Sequence, residues 1–246
     1  MKIKVMTFNI QHGRNHNLEG DVIDLSLMAE TVRSQNADIV GFNEVRNGNN
    51  PDHSSGYSRQ VDFFAETLGG DCRFASAISL DAGTDHAYDY GNAIFSRLKI
   101  ASFEKIMIPD ATERVAGYHY ETRCVIKTEY DINGTRLTVL NSHFGLGPGE
   151  RENAVETVLD IAGKTEGPII LMGDFNMIPD YHVIQRLSEL YVDVHASMGK
   201  DELTFPSNEP VMRIDYIFAR GIKALSAETV KVVAADHYPI TAEFEI

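Results

Sequence analysis

Apolar residues recur along this chain in short alternating or continuous runs, interrupted by polar, Gly-rich stretches and by a few segments at helical spacing. Lys2 to Ile10 alternates as a strand that sets Val5, Thr7 and Asn9 on one face. Leu25, Met28, Ala29 and Val32 predict a helix capped by Asp21 or Asp24, and Asp38 to Phe42 predicts a second strand that runs into Asn43-Glu44-Val45. Arg46 to Ser58 reads as a long turn-rich loop, followed by a helix over Val61, Phe64, Ala65 and Leu68 that Gly69-Gly70 ends. Strands are expected over Phe74 to Leu80 and Gly91 to Ser96, with Leu98 to Met107 and Glu121 to Glu129 continuing the pattern. Asn133-Gly134 joins Val125–Ile132 to Thr135–Val139 as a hairpin, a sign of antiparallel pairing. Val155, Val158, Leu159 and Ala162 mark a helix face closed by Gly163, and Tyr181 to Leu190 a shorter helix. Ile169 to Met172 and Arg213 to Phe218 read as strands, and Ala235 to Ile240 leads into a last one.

The polar residues at the ends of these runs are of a recurring kind. Ile169 to Met172 is a continuous apolar run, as in a strand covered on both faces, and it ends in Gly173-Asp174-Phe175-Asn176. Alternation puts Asp174 and Asn176 on one side and turns Phe175 to the core. In the same way Asn9, Glu44, Asn141, His143, Asp215, Asp236 and His237 fall at or just beyond strand ends. Each alone has an ordinary explanation as a turn former or a hydrogen-bonded structural side chain. Their coincidence at one type of location points to a site.

Composition narrows what such a site does. With 246 residues, 43% hydrophobic and 24% charged, the chain suits a soluble globular protein, and residues 1–246 read as one domain with two sheets and helices outside them. No apolar run approaches the roughly 20 residues that span a bilayer, and Met1 to Val5 enters a strand directly, so a cytoplasmic location is expected. Cys72 and Cys124 lack metal-site spacing and read as two buried reduced thiols. A net charge of −14, 22 scattered Lys and Arg and no Trp disfavour nucleic acid as the partner, because phosphate neutralisation needs a basic surface.

Thr7-Phe8-Asn9, Asn43-Glu44-Val45, Gly91-Asn92-Ala93-Ile94, Asn141-Ser142-His143, Gly173-Asp174-Phe175-Asn176, Arg213-Ile214-Asp215-Tyr216-Ile217 and Asp236-His237-Tyr238-Pro239 together resemble the ordered motifs of the endonuclease/exonuclease/phosphatase superfamily, essentially end to end. The resemblance implies a deoxyribonuclease I-like four-layer α/β/β/α sandwich, with two packed mixed, largely antiparallel sheets flanked by helices. It also implies hydrolysis of phosphate esters with Mg²⁺ or Mn²⁺. Glu44 would be the metal ligand with Asn9 beside it; Asp174 would orient or deprotonate the attacking water. Asn176, His143 and Asn141 would donate to phosphoryl oxygens, and His237 would lie against the phosphate, oriented by Asp215 or Asp236. Asn92 and Arg123 are candidates for the rim that binds substrate, and His53, His86, His119 and Arg151 are further possible contacts. Asn43 stands where many members have Gln, with little effect expected, and Ala235 where Ser is common, a change expected to lie behind the residues that touch substrate. The implied substrate is a small or lipid-like phosphate ester; a nuclease is the alternative within the same chemistry, and a silent binding protein the alternative outside it.

Overall fold

The computed structural model describes residues 1–246 and resolves each strand into two faces. Its first half runs β1 (Lys2–Asn9), α1 (Leu25–Gln35), β2 (Ile39–Gly48), α2 (Gln60–Leu68), β3 (Asp71–Leu80), β4 (Tyr88–Ser96) and β5 (Ser102–Met107). The second runs β6 (Cys124–Ile132), β7 (Thr135–Ser142), α3 (Pro148–Gly163), β8 (Ile169–Asp174), α4 (His182–Leu187), β9 (Val192–Asp193), α5 (Val194–Ser197), β10 (Asp215–Arg220), β11 (Lys223–Thr229) and β12 (Ile240–Glu245). Two six-stranded sheets result, in the orders β11-β12-β1-β2-β4-β3 and β5-β6-β7-β8-β10-β9. Only β1 with β2 and β7 with β8 pair in parallel, each across a helix; the other pairs are antiparallel.

Alternation then decides the layers. In β1, Ile3 and Val5 enter the core between the sheets, while Met6 and Phe8 pack outward under α1 and α2 with Met28, Val32 and Phe64. In β8, Ile170 and Met172 face the central core, and Ile169 and Leu171 lie under α3 and α4 with Val158 and Leu187. The result is the expected four-layer α/β sandwich. Asp24 caps α1, accepting from the Leu27 amide at 2.9 Å, and Gly69 closes α2 with φ +71°, a conformation that favours glycine.

Several elements differ from the sequence pattern. β2 continues to Gly48, so Arg46 to Gly48, expected in a loop, pair with the start of β4. β9, α5 and β11 were not expected: β9 has two residues, and β11 is an edge strand of small and charged side chains that hides its periodicity. Tyr181 to Leu190 is helical only over His182–Leu187. Cys124 is buried, but Cys72 is half-buried because β3 lies at a sheet edge.

Candidate active site

Inward register carries the polar residues to one end of the seam between the sheets. Asn9 extends the Ile3, Val5 face of β1, Asp174 the Ile170, Met172 face of β8, and Asp215 the Ala219, Ile217 face of β10. Glu44 arrives differently. The pairing of β2 with β4 shifts between Phe42 and Val45, and Glu44 takes φ +58°. Asn43 stays paired with Asn9 of β1 and is buried between the sheets, and the bulge toward β4 lets Glu44 turn to the cavity as well, where strict alternation would send it outward. Asn9 Nδ2 donates to Glu44 Oε1 and to Asp174 Oδ2, both at 3.0 Å, and so holds two carboxylates side by side.

β8 ends in an Asx turn rather than in continued strand. Asp174 Oδ1 accepts from the Asn176 amide at 2.9 Å, and Asn176 has φ +52°. Phe175 goes to the core as expected, stacked on Phe144 with ring centroids 4.2 Å apart. The Asn176 side-chain amide comes to 2.9 Å from His143 Nε2 and 3.0 Å from the Phe144 carbonyl.

Asp174 and Asp215 are direct cross-strand partners, an unfavourable placement for two carboxylates. His237 resolves it, with Nδ1 2.9 Å from Asp215 Oδ2 and Nε2 3.6 Å from Asp174 Oδ2. Asp215 is therefore the carboxylate that holds His237. Burial works against a charge on this ring, yet the two aspartates raise its pKa to about 10. Burial also raises the Asp174 carboxyl, to about 7, with Asp215 adding to the shift and His237 opposing it. His143 behaves oppositely: burial, then the charges of Arg123 and His237, hold it well below the usual histidine range. Asp236 is raised by burial and by Glu44, against the pull of His237.

These groups open on a cavity of about 540 Å³ lined by Glu44, Arg123, His143, Asp174, Asn176, Asp236 and His237. Arg151 and Leu146, from the loop before α3 and its first turn, complete one wall, and no residue of the Arg46 to Ser58 loop lines it. Tyr90, Glu121, Phe205, Met212 and Ile214 line the cavity without having been singled out; Tyr90 carried a signal, since it directly precedes the Gly91-Asn92 motif. Phe205 packs on the His237 ring at 4.8 Å. Two expected contacts lie elsewhere. Asn141 is wholly buried and spends both amide hydrogens on Phe42 O and Ala93 O of the facing sheet, at 3.1 Å each, leaving no donor for a phosphoryl oxygen. Asn92 is buried beside it, donating to Cys124 O at 3.0 Å and accepting from Asn43 at 2.9 Å. His86 and His119 are exposed, and His53 rests on Phe63.

A buried acidic cluster of this kind can hold a cation: ligand atoms of Asp174, Asp215 and His237 lie within 4.8 Å of one another. Asp215 and His237 already spend atoms on each other, however. Their bond uses only Asp215 Oδ2 and His237 Nδ1; Asp215 Oδ1 and Asp236 Oδ1 are both buried with no partner, and Asp236 lies within the influence of Glu44. An orphaned carboxylate oxygen near a second carboxylate fits a hard cation with oxygen ligands.

A four-layer sandwich of two mixed sheets, with carboxylates, amides and two histidines gathered at one end of the seam, defines the deoxyribonuclease I-like class of α/β folds. The chain belongs to the endonuclease/exonuclease/phosphatase family, whose model matches residues 6–237. That family is one of metal-dependent hydrolases of phosphoester bonds. Uncharacterized protein YbhP of Escherichia coli (strain K12) is 24% identical over 99% of this chain and 96% of its own length. Among solved structures, an endonuclease/exonuclease/phosphatase from Beutenbergia cavernae matches with a TM-score of 0.79 at 21% identity, over 100% of this chain and 72% of that one. A mannosyl-6-phosphatase of Bacteroides thetaiotaomicron matches with a TM-score of 0.73 at 19% identity, over 99% of this chain and 100% of that one. No helix is long and apolar enough to cross a membrane.

Proposed function

We propose that residues 1–246 form one catalytic domain, a phosphoesterase that cleaves a small or lipid-like phosphate ester by in-line attack of an activated water, with Mg²⁺ or Mn²⁺ as cofactor. The observation that carries this reading is Asp174, a buried carboxylate that accepts from Asn9 and lies between His143 Nε2 at 3.4 Å and His237 Nε2 at 3.6 Å, at the wall of the cavity. Glu44 and Asp236 would hold the metal and Asn9 would orient Glu44. When bound, the ion would supply Lewis-acid stabilisation of a phosphoryl oxygen. Asp174 takes the proton of the attacking water or orients it, a role that its raised pKa suits. His237, charged and anchored by Asp215, donates from Nε2 to the phosphate; His143 donates to another phosphoryl oxygen as charge develops, and Asn176, whose side-chain amide meets His143 Nε2 and the Phe144 carbonyl, holds that ring in place.

The cavity volume and the net charge of −14 favour a small ester over a polynucleotide track. The relative named a mannosyl-6-phosphatase points the same way, toward a phosphorylated sugar or similar polyol. The free thiols Cys72 and Cys124 suit a reducing compartment such as the cytoplasm. Purified protein with Mg²⁺ or Mn²⁺ is expected to hydrolyse bis-p-nitrophenyl phosphate or p-nitrophenyl phosphate, with loss on chelation and in Asp174→Ala. Wild-type turnover no greater than that of Asp174→Ala would sink the reading, and salt-sensitive cleavage of DNA or RNA in preference to small esters would replace its substrate.

A further inference from the structure

The His143 ring is 4% exposed and its two nitrogens meet different neighbours. Nδ1 lies 3.2 Å from Arg123 Nη1, and Nε2 lies 3.4 Å from Asp174 Oδ2 and 2.9 Å from the Asn176 amide. Arg123 is itself 8% exposed and pinned, with Nη2 2.7 Å from Glu121 Oε2. A guanidinium carries donors only and stays charged at every accessible pH. We propose that Arg123 is a positioning residue that occupies the Nδ1 lone pair of His143 and fixes the ring as the neutral Nε2–H tautomer, a donor whose one proton is directed at Asp174 and Asn176 on the cavity side. The role of that donor at a phosphoryl oxygen rests on the phosphoesterase reading; the tautomer does not.

The neighbours do not agree unanimously, and magnitudes decide between them. A proton on Nδ1 would face the permanently charged guanidinium, and the Nε2 lone pair would then face Asp174 Oδ2, a repulsive contact whenever that carboxyl is ionised. A proton on Nε2 removes both. Its cost falls on Asn176, whose amide must then turn its oxygen to Nε2 and give up its bond to the Phe144 carbonyl. A neutral amide bond is worth about 0.5–1.5 kcal/mol net and one to a charged group about 1.5–3, so the guanidinium prevails over the amide. The nitrogen that carries the proton in a histidine is set by the bond its other nitrogen makes. Here that second partner is a cation, so the ring cannot readily be protonated in turnover and acts through a fixed dipole.

Long-range ¹H–¹⁵N correlation spectra of the Mg²⁺-loaded protein read the tautomer directly, with the His143 signals assigned by their loss in His143→Gln. The expected result is a protonated Nε2 and an unprotonated Nδ1. In Arg123→Met the ring is expected to lose its single tautomer and kcat on p-nitrophenyl esters to fall about tenfold with KM little changed, less than the roughly 10² to 10³ of losing a donor outright. Arg123→Lys, which keeps a donor-only cation, should restore most of both. His143 found with Nδ1–H, or doubly protonated at neutral pH, would overturn the proposal, as would a folded Arg123→Met that keeps the wild-type tautomer and kcat. The spectra need no turnover, so absence of phosphoester hydrolysis would fell the functional reading while the tautomer is still decided.

Discussion

The two histidines beside Asp174 are almost equidistant from its Oδ2, at 3.4 Å for His143 and 3.6 Å for His237, yet they are held from behind by opposite charges. His237 is backed by a carboxylate and sits between Asp215 and Asp174, a cross-strand pair that needs a positive charge. His143 is backed by a guanidinium and cannot supply one. One histidine type thus yields an imidazolium on one wall and a neutral ring on the other, within a few ångströms of the same oxygen. The backing side chain, more than burial, sets the difference, since both rings are 4% exposed. Donors of unequal charge on two sides of a buried carboxylate give a phosphoryl group two different anchors.

Removing the carboxylate behind His237 should produce the largest effect. Asp215→Asn leaves the geometry of β10 intact but takes away the anchor of the imidazolium, and turnover is expected to fall by about 10²- to 10⁴-fold, the usual scale for a positioned acid or base. Steady-state kinetics on a p-nitrophenyl ester would read it. Because Arg123→Met is expected to cost only about tenfold, equal losses in the two variants would break the comparison between the walls.

A second effect lies in stability, where the sign follows from the raised pKa of His237. Its value is about 10 in the folded protein against 6.5 for the free side chain. The stabilisation linked to its protonation is therefore fully present below pH 6.5, declines as pH rises, and is lost as pH passes about 10. Urea denaturation of wild type and Asp215→Asn should show a gap that is widest near pH 6 and narrows toward pH 10. A gap that widened over that range would mean that His237 is neutral in the fold.

Much of this candidate site is legible in the sequence, and the reason is physical. A strand that must be apolar on its inner face can carry Asn9, Asp174 or Asp215 only at its end, so period-two alternation exposes them. The bulge that turns Glu44 inward has no such signature, because it is a break in the ladder between Phe42 and Val45. The pairing of Asp215 with His237 was likewise open between two aspartates, as it joins β10 to a segment 22 positions away. Tyr90 escaped because it sits beside the Gly91-Asn92 motif rather than in it, and Glu121 because it reads as no more than the polar start of a strand. Asn141 misled in an instructive way: it has the register of a site residue, but its strand faces the other sheet closely enough that the amide is used up there.

That seam gives the smallest of the expected effects and the cleanest separation of scaffold from chemistry. Asn141 can clamp the two sheets only because Gly41 stands opposite; a Cβ on Gly41 would lie 2.5 Å from Asn141 Oδ1 and 2.9 Å from Met172 Cε. Neither neighbour can retreat freely, since the Asn141 amide is bound to two main-chain carbonyls and Met172 is wholly buried. Gly41→Ala should therefore cost about 1–3 kcal/mol in stability by overpacking. Asn43, which donates toward Asn141 and accepts from the Asp174 amide at 3.1 Å, links this seam to the site, so a small shift is expected to reach Asp174 and lower kcat by a few fold, well short of Asp215→Asn. Chemical denaturation and kinetics of the folded variant would measure the two separately. Unchanged stability would mean that the sheets part easily at this end, and that the two histidine walls owe their spacing to something other than the Asn43–Asn141 seam.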